Sequence, residues 1–551
     1  MRSKTLAGLP ILAVLLATLA GCGDKTETTA AKSGPSSPTA KLGIRPGGDE
    51  TVKVDMSKIR NADLPKVFAY IDQHIDDHVV NLQKWIQQPS ISNTGEGIQE
   101  SAEMVKGFFD QLGCQKTQVY DVGKTKWGQQ GNPVVYAKCD EGAEKTLIVY
   151  WQYDTMPVTQ PDLWKAPPFE GRLVEQAPYK KVLIGRGAVN SKGPEMTFLN
   201  AVMSIKAVTG KLPVNLIFVA EGDEERMDIG LNKFMSEHQD LFKGATGVWG
   251  PGGSEGCVFV ELTTSGNKWG RGPDYSDIHG AFKLSVDAPA WRHIKMLSKL
   301  VSDDGNEILI PGFYENLLPL TKEQEAGLRK AAETYDLKKA AQNLGITRFR
   351  SDDPYEVLKM MRNGTSMNLD GIWGGNMFAG GSGAILPNKV TSKHNFRYRP
   401  NMTGPEIVDK LRAYLDKLGY KDVEINVVGD VPWAIRDNDN DLARSNAYTQ
   451  QIFGVGSGVP FAGGGGGYWP AYVFSGKETN IDLPINSARG GTGGNAHAAN
   501  EWYVIEGSGN QLGMASAEKL VATALYNYAG RNGPIEQKPA KPAGAAGNPG
   551  S

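Results

Sequence analysis

Cysteine is scarce in this 551-residue chain, where it occurs only at positions 22, 114, 139 and 257. No two of these cysteines have the CxxC spacing of thiolate metal sites, so a zinc site built on cysteine is not expected. In an oxidising compartment, the three cysteines after Cys22 allow one disulfide at most and leave at least one free thiol. The sequence alone does not decide whether Cys114 pairs with Cys139.

Net charge and long apolar runs are also lacking. The chain has 59 basic and 61 acidic residues, a formal net charge of −2, and this balance gives no sign of a nucleic-acid partner. After the first 22 residues, no apolar run is long enough to span a bilayer. We therefore expect no nucleic-acid partner, and contact with a membrane only through an anchor at the N-terminus.

Residues 1–22 have the pattern of a bacterial secretory signal. Arg2 and Lys4 precede an apolar run from Leu9 to Leu19 that is too short for a spanning helix. The small residues before Cys22 resemble a lipobox, in which cleavage leaves this cysteine as the lipidated N-terminus. An ordinary signal with an incidental cysteine is the alternative. We predict a lipid-anchored protein of the bacterial cell envelope that faces the periplasm, and a glycine after the cysteine favours the outer membrane.

The rest of the chain is predicted to have two unstructured ends and a first domain in two parts. Residues 23–62 and 532–551 are rich in small and polar residues without an apolar period, which predicts a flexible linker and a disordered tail. Residues 63–262 and 431–531 alternate strands with helices. This alternation predicts an α/β domain with a mostly parallel sheet and flanking helices.

Residues 263–430 have a different texture, which predicts an inserted α+β domain with an antiparallel sheet. The predicted elements are a strand over 282–286, a helix over 291–301, a strand over 390–399, a helix over 404–418 and a strand over 423–428. The inserted domain separates the two parts of the first domain.

Polar side chains follow three of the predicted strands, at the point where each strand ends. They are Gln152 and Asp154, then Asn190, then Glu224 and Glu225. Because ligands bind at the carboxyl ends of strands in α/β sheets, three such clusters favour a site over solvated loop charges. Asn190 lies in a glycine-rich turn, residues 184–194, that fits neither GxGxxG nor GxxxxGK[ST].

Three histidines stand out by their surroundings. His74 and His78 have the i, i+4 spacing of zinc helices, but the Glu of HExxH is missing, so a solvated surface pair is the favoured interpretation. His497 lies in a glycine-rich loop rather than on an apolar face. A role for His497 in the site is therefore favoured over a structural one.

Six motifs, taken in order, resemble the co-catalytic zinc aminoacylase, carnosine dipeptidase and glutamate carboxypeptidase family (peptidase family M twenty), particularly its dipeptidase-like branch. They are residues 88–90, 153–157, 168–170 with 185–194, 221–225, 368–375 with 397–400, and 497–501. The resemblance covers nearly the whole mature chain. It implies an α/β catalytic domain with the inserted domain serving as a lid and dimerisation domain.

The resemblance also implies a mechanism. In that family, two zinc ions share a bridging carboxylate and a water, and a neighbouring Glu removes a proton from the water for attack on an amide carbonyl. By position, Glu224 matches this general base, while Glu225 and His497 match metal ligands. Asp154 matches the Asp that orients the first His ligand.

The lid supplies further residues by the same resemblance. His279 matches the lid His that stabilises the oxyanion, often across a dimer. Arg397 matches a lid Arg, and Asn368 begins the matching lid segment before it, so both are expected to bind substrate. A homodimer through the lid is the expected assembly.

Three ligand positions of that family are substituted here. Gln152 occupies the position of the first His ligand, Asn190 that of the bridging Asp, and Gly250 that of the second Asp. Of the three carboxylate ligands in the family, this chain keeps one, Glu225, and an amide oxygen is a weaker zinc ligand. We therefore predict zero or one zinc ion, held by Glu225 and His497, with Asn190 as a weak ligand and Gln152 as a doubtful one.

The resulting hypothesis is an amidohydrolase that cleaves a dipeptide, an N-acyl amino acid or a related amide by general-base water attack, with at most one metal. Two alternatives stay open, namely an inactive ligand-binding lipoprotein on the same fold and metal-independent acyl-transfer or lyase chemistry in the same cleft. The aromatic residues Trp151, Trp373, Tyr468 and Trp469 indicate either an aromatic-lined pocket or ordinary core.

Overall fold

A computed structural model describes residues 41–250, 253–381, 383–435, 439–455, 467–476, 478–488 and 490–535. The predicted signal peptide with Cys22 lies outside these residues, as do residues 23–40 of the predicted linker and 536–551 of the predicted tail. Residues 41–62, predicted as part of a flexible linker, instead belong to the fold, because Asp49–Glu50 pairs with Ser508–Gly509. Within the described residues, no helix is both long and apolar enough to cross a membrane.

The described residues form twelve α-helices and nineteen β-strands. The helices are α1 (Leu64–Gln87), α2 (Ile98–Leu112), α3 (Gly193–Thr209), α4 (Leu231–Glu237), α5 (Gly266–Trp269), α6 (Pro289–Leu297), α7 (Lys322–Ala332), α8 (Leu337–Leu344), α9 (Pro354–Asn363), α10 (Gly404–Lys417), α11 (Asp441–Ile452) and α12 (Met514–Tyr528). The strands are β1 (Asp49–Glu50), β2 (Lys116–Tyr120), β3 (Val134–Cys139), β4 (Thr146–Gln152), β5 (Arg172–Gln176), β6 (Tyr179–Ile184), β7 (Asn215–Glu221), β8 (Gly247–Trp249), β9 (Gly253–Ser254), β10 (Gly256–Ser265), β11 (Ile278–His279), β12 (Ser366–Trp373), β13 (Ile385–Leu386), β14 (Lys389–Tyr398), β15 (Glu424–Val431), β16 (Ala434–Ile435), β17 (Gly493–Gly494), β18 (Trp502–Val504) and β19 (Ser508–Gly509).

The central sheet has the strand order β2-β3-β7-β4-β8. Strands β7, β4 and β8 are parallel, whereas β3 is antiparallel to both β2 and β7. The sheet is therefore mostly parallel, with β3 reversed. Successive side chains of β7 belong to two different hydrophobic cores. Phe218 packs in the core that includes α1, α3 and α12, and Ile217 packs in the core that includes α4.

The strand before the glycine-rich turn does not belong to the central sheet, contrary to the sequence-based expectation. Strand β6 lies in a separate antiparallel sheet of order β17-β18-β6-β5. It pairs with β18 from the far end of the chain, with Ile184 opposite Trp502. Because strand pairing depends on residues more than 300 positions apart, the local alternation of strand and helix could not reveal it.

The inserted domain contains an antiparallel sheet of order β12-β14-β10-β15. Helices α6 and α10 cover it, with Met296 and Leu411 packed against Val260 and Phe396. The predicted strand over 282–286 is wrong, because residues Gly280–Leu284 form a 3₁₀ helix. Leu284 is exposed on this helix, so the apolar alternation there does not reflect a buried sheet face.

Cys114, just after α2, forms a disulfide with Cys139 at the end of β3. Cys257 on β10 is buried and carries a free thiol. This arrangement agrees with the expectation that the three cysteines after Cys22 form one disulfide at most and leave at least one free thiol.

His74 and His78 on α1 are not a solvated surface pair, and that prediction is corrected here. His78 is buried because α1 packs against α12, where its Nδ1 lies 2.7 Å from Oε2 of the fully buried Glu518. His74 instead pairs its Nδ1 with the main-chain oxygen of Tyr70 at 2.8 Å. The two rings therefore have separate structural partners.

Candidate active site

The polar residues predicted from the strand ends come together in one cleft. Gln152 ends β4, and Glu224 follows β7, the neighbour of β4 in the central sheet. The turn after β6 brings Asn190 to the same place, and the loop before β18 brings His497. The cluster thus joins both sheets of the catalytic domain.

Asp154 fixes the turn that carries the two glutamates. Its side chain is fully buried and accepts the backbone N–H groups of Glu224 at 3.3 Å and of Glu225 at 3.0 Å. Burial, together with the charge of Glu225, raises the pKa of Asp154 to about 8. Asp154 therefore acts on this cluster by positioning its backbone.

Glu501 holds the glycine-rich turn in place. Its carboxylate accepts the backbone N–H groups of Val189 at 3.0 Å and Asn190 at 2.9 Å, and it pairs with Arg186 at 2.8 Å. Both charged side chains are almost completely buried. The sequence motif around His497 includes Glu501, but its role was missed because its partners lie more than 300 residues away.

Lys192 anchors the other end of the same turn. Its Nζ donates to the main-chain oxygens of Trp85 at 3.1 Å and Gln88 at 2.8 Å, where α1 ends. Burial lowers the pKa of Lys192 to about 7. The turn that presents Asn190 is thus held from both sides.

Glu225, His497 and Asn190 form a compact triangle of polar atoms. Oε1 of Glu225 lies 3.0 Å from Nε2 of His497. Nδ2 of Asn190 lies 2.8 Å from Oε1 of Glu225 and 3.0 Å from Nε2 of His497. The hydrogen bond to Glu225 raises the pKa of His497. These are the residues that the sequence assigned to metal binding.

Glu224 lies beside this triangle with its carboxyl group held by Gln152. The Gln152 side-chain amide donates to Oε2 of Glu224 at 2.9 Å. Burial, and then the negative charges of Glu225 and Asp154, raises the pKa of Glu224 well above its usual range. Gln152 thus contacts the predicted general base directly.

The donor atoms of this cluster fit one metal ion but not two. Ligands about 2.0–2.1 Å from a tetrahedral zinc ion lie about 3.3 Å apart. The triangle of Glu225, His497 and Asn190 has edges of 2.8 and 3.0 Å, and a half-turn of the Asn190 amide places Oδ1 where Nδ2 points. At the positions of the family's other ligands, Gln152 and Gly250 supply neither imidazole nor carboxylate.

Asn190 is decisive for this fit. Within the described residues, no group of three or more His, Cys, Asp or Glu side chains is arranged to hold a metal ion. Asn190, whose amide lies next to both Glu225 and His497, is therefore the candidate for a third protein ligand.

Arg397 contacts a residue that lines the cleft. From β14 its Nη1 donates to Glu255 at 3.1 Å, and its guanidinium lies over the ring of Tyr468, 4.8 Å from the centroid. Tyr468 and Glu224 line one cavity of about 350 Å³. Arg397 thus stands at the boundary between the lid and the catalytic domain.

The other two lid residues have local partners. Nδ1 of His279 accepts the N–H of Ala281 at 3.1 Å, and the side chain is exposed. The Asn368 amide donates to Asp370 at 2.8 Å on β12. Their roles in binding and catalysis stay predictions.

The four aromatic residues singled out in the sequence separate into two groups. Trp151, Tyr468 and Trp469 line the cavity beside Glu224. Trp373 lies on β12 of the lid and is half-exposed.

Residues 148–508 match the model of a family described as Peptidase family M20/M25/M40. The Beta-Ala-His dipeptidase of Rattus norvegicus is 26% identical over 497 residues, which cover 82% of this chain and 95% of that protein. The Cys-Gly metallodipeptidase DUG1 of Candida albicans is 28% identical over 474 residues, covering 80% of this chain and 93% of that protein.

Solved structures share the fold. Human carnosine dipeptidase 1 aligns with a TM-score of 0.71 at 23% identity, covering 85% of this chain and 99% of that one. The M20 family metallo-carboxypeptidase Sso-CP2 of Sulfolobus solfataricus aligns with a TM-score of 0.67 at 26% identity, covering 83% of this chain and 99% of that one.

These matches confirm the predicted resemblance, the α/β fold with a lid, and the peptidase or amidohydrolase class. They do not favour the alternatives of an inactive binding protein or of acyl-transfer or lyase chemistry. The family match spans more than half of the chain, which therefore belongs to peptidase family M20/M25/M40.

Proposed function

We propose that this protein hydrolyses the amide bond of a dipeptide or N-acyl amino acid, with Glu224 as the general base. The observation that carries the proposal is the position of Glu224, which lines the cleft directly beside the triangle of Glu225, His497 and Asn190. Burial raises the pKa of Glu224, and a raised pKa makes its carboxylate form a stronger base.

Gln152 and Asp154 orient this base. Gln152 binds one carboxyl oxygen of Glu224, which fixes the plane of the carboxyl group towards the cleft. Asp154 binds the backbone N–H of Glu224, which fixes the position of its Cα. The base then takes a proton from the attacking water and returns it to the leaving amine.

One divalent ion is part of this proposal, at Glu225, His497 and Asn190. A zinc ion supplies Lewis-acid polarisation of the substrate carbonyl when it is bound. The relative named Cys-Gly metallodipeptidase supports metal dependence. The loss of strong ligands at Gln152 and Gly250 supports a limit of one ion per chain.

The lid is proposed to complete the site from a second copy of the chain. Strand β12 is an edge strand of the lid sheet, and its residues Leu369 and Ile372 are exposed, as is Phe378 just beyond it. An exposed apolar edge strand requires a partner to be protected from water and from unspecific pairing. In such a homodimer, His279 stabilises the oxyanion, and Arg397 and Asn368 bind substrate.

A lipid anchor at Cys22 is proposed to hold the enzyme at the bacterial envelope, facing the periplasm, with the outer membrane favoured. The lipobox-like sequence before Cys22 supports this. Cys22→Ser is expected to move the protein from the membrane fraction to the soluble fraction, as followed by immunoblotting. Membrane association equal to that of the wild type would contradict the anchor.

The test of catalysis is Glu224→Gln, assayed with β-alanyl-histidine and cysteinyl-glycine, the dipeptides of the relatives. Turnover of at least one of them is expected in the wild type, and a loss of about 10²–10⁴ in kcat is expected in the variant, because no group remains to accept the proton. Calorimetric binding of the same dipeptide should stay within a few-fold. Glu237→Gln, on the surface of α4, is the matched control. An unchanged kcat in Glu224→Gln would overturn the assignment.

A further inference from the structure

A cavity of about 350 Å³ opens beside the proposed general base. Its lining includes Glu224, Asn190, Gln152 and Gly250, the last three being the substituted ligand positions. A volume of this size lies within the range of about 300–1,000 Å³ that is typical of ligand pockets. The space next to the scissile bond is therefore large enough for a substrate group.

Part of the lining of this cavity is aromatic, and Trp249, Phe198, Trp469, Tyr150 and Tyr468 belong to it. Polar residues, among them Ser191, Glu195 and Ser487, form another part of the lining. The Phe198 and Trp249 rings pack with centroids 5.3 Å apart, and those of Tyr150 and Trp469 lie 5.2 Å apart. Mutual packing holds these rings in place, so the aromatic part of the lining is preformed for an apolar group.

The Trp469 indole occupies the space that a side chain at position 250 would need. A Cβ at position 250 would lie 2.8 Å from Cη2 and 3.1 Å from Cζ3 of the Trp469 indole. The indole cannot move away freely, because its Nε1 donates to the oxygen of Gly253 at 3.0 Å. The side chain that the family uses as a metal ligand at position 250 is thus excluded by an aromatic wall.

We propose that this cavity is the subsite for a large aromatic or branched apolar side chain of the dipeptide, next to the scissile amide. The inference rests on the proposed function, since it assumes that the amide lies beside Glu224. Neutral residues at Gln152, Asn190 and Gly250 and the aromatic rings beside them both make this part of the cleft better suited to an apolar group than to an ion.

The test compares kcat/KM for Phe-Gly, Leu-Gly, Ala-Gly and Gly-Phe with the wild-type protein. The larger side chains are expected to be preferred about 10- to 100-fold over alanine. The Phe-Gly and Gly-Phe pair identifies which half of the substrate enters the cavity. Equal kcat/KM for all four dipeptides would overturn the subsite.

Gly250→Ala gives the matching test on the protein side. The added Cβ crowds the Trp469 ring in the lining of the cavity, so kcat/KM for the preferred bulky dipeptide should fall at least about 10-fold, and by a larger factor than kcat/KM for Ala-Gly. Gly107→Ala is the control, because a Cβ at this helical position meets nothing within 4 Å. An equal loss for all substrates in Gly250→Ala would contradict the subsite.

Binding separates this inference from the proposed function. Calorimetry with Glu224→Gln is expected to show Phe-containing dipeptide binding at least about 10-fold more tightly than Ala-Gly. If such a preference exists while the wild type hydrolyses none of the dipeptides, the subsite stands and the proposed function fails. If hydrolysis occurs without any size preference in rate or binding, the subsite fails and the proposed function stands. Binding of neither peptide to the variant overturns the subsite.

Discussion

At the scale of single residues, the neutral side chain of Asn190 leaves the metal-binding cluster with one negative charge fewer than a carboxylate at this position would. Its amide touches both Glu225 and His497, so a neutral group lies where the resemblance places a carboxylate. One carboxylate and one imidazole neutralise a single divalent ion poorly and a pair of ions hardly at all. Glu501 holds this turn through the backbone N–H groups of Val189 and Asn190, so its support does not involve the Asn190 side chain.

The prediction for Asn190 concerns metal affinity. Wild-type protein should contain at most one zinc ion per chain by elemental analysis. Asn190→Asp adds a carboxylate to the same triangle and should tighten zinc binding at least about 10-fold in competition with a chelator, without creating a second site.

Asn510→Asp, which adds the same charge at an exposed position, is the control and should leave zinc affinity unchanged. Two zinc ions per wild-type chain would contradict the assignment of ligands, as would an affinity in Asn190→Asp that equals that of the wild type.

At the scale of elements, the packing of α1 on α12 depends on a buried pair. His78 lies against Glu518, whose only other side-chain contact among the described hydrogen bonds is the Asn200 amide at 3.2 Å. Burial raises the pKa of Glu518, so the carboxyl group relies on these partners. This pair is structural, although its histidine has the spacing of a zinc helix.

His78→Ala should lower the free energy of unfolding by about 3–5 kcal/mol, because it leaves Glu518 buried without its main partner. The midpoint of urea unfolding measures this loss. His74→Ala, one turn earlier on the same helix and only half-buried, is the control and should cost less than about 1 kcal/mol. Similar losses in the two variants would show that the His78–Glu518 pair contributes no more to the free energy of unfolding than His74 does.

At the scale of the whole molecule, the lid has an exposed edge at β12 and the cleft opens towards the lid through Tyr468 and Arg397. In the proposed dimer, the exposed edge of β12 pairs with a second chain, and this pairing completes the cleft. His279 is exposed and bonded only locally within the described part of the lid, which leaves its ring accessible to a second chain.

Light scattering coupled to gel filtration should give twice the mass of one chain. Ile372→Glu places a charge on β12 and should give the monomer, with a fall of at least about 10²-fold in kcat if His279 acts across the interface. Met56→Glu, at an exposed apolar residue on the catalytic domain, is the control and should remain dimeric. A monomeric wild type, or a monomeric variant with full activity, would contradict the shared site.

Local sequence patterns predicted much of this architecture. The strands predicted over 390–399 and 423–428 and the helix predicted over 404–418 correspond to β14, β15 and α10 within a few residues. The motifs around Asp154, Glu224 and His497 placed the site because each is a short segment whose residue types are dictated by chemistry. The strand predicted over 282–286 was wrong, because the apolar residues there do not alternate as a result of burial. Residues 280–284 form an exposed 3₁₀ helix instead.

The sequence by itself determined the family, which the matches confirm. The general base and the three substituted ligand positions, read residue by residue along the chain, stay predictions. Only the tertiary structure decided how the substitutions are accommodated. The contact of Gly250 with Trp469 and the support of Asn190 by Glu501 join segments more than 200 residues apart. Such contacts follow from packing in three dimensions, which leaves no periodic signal in a single sequence.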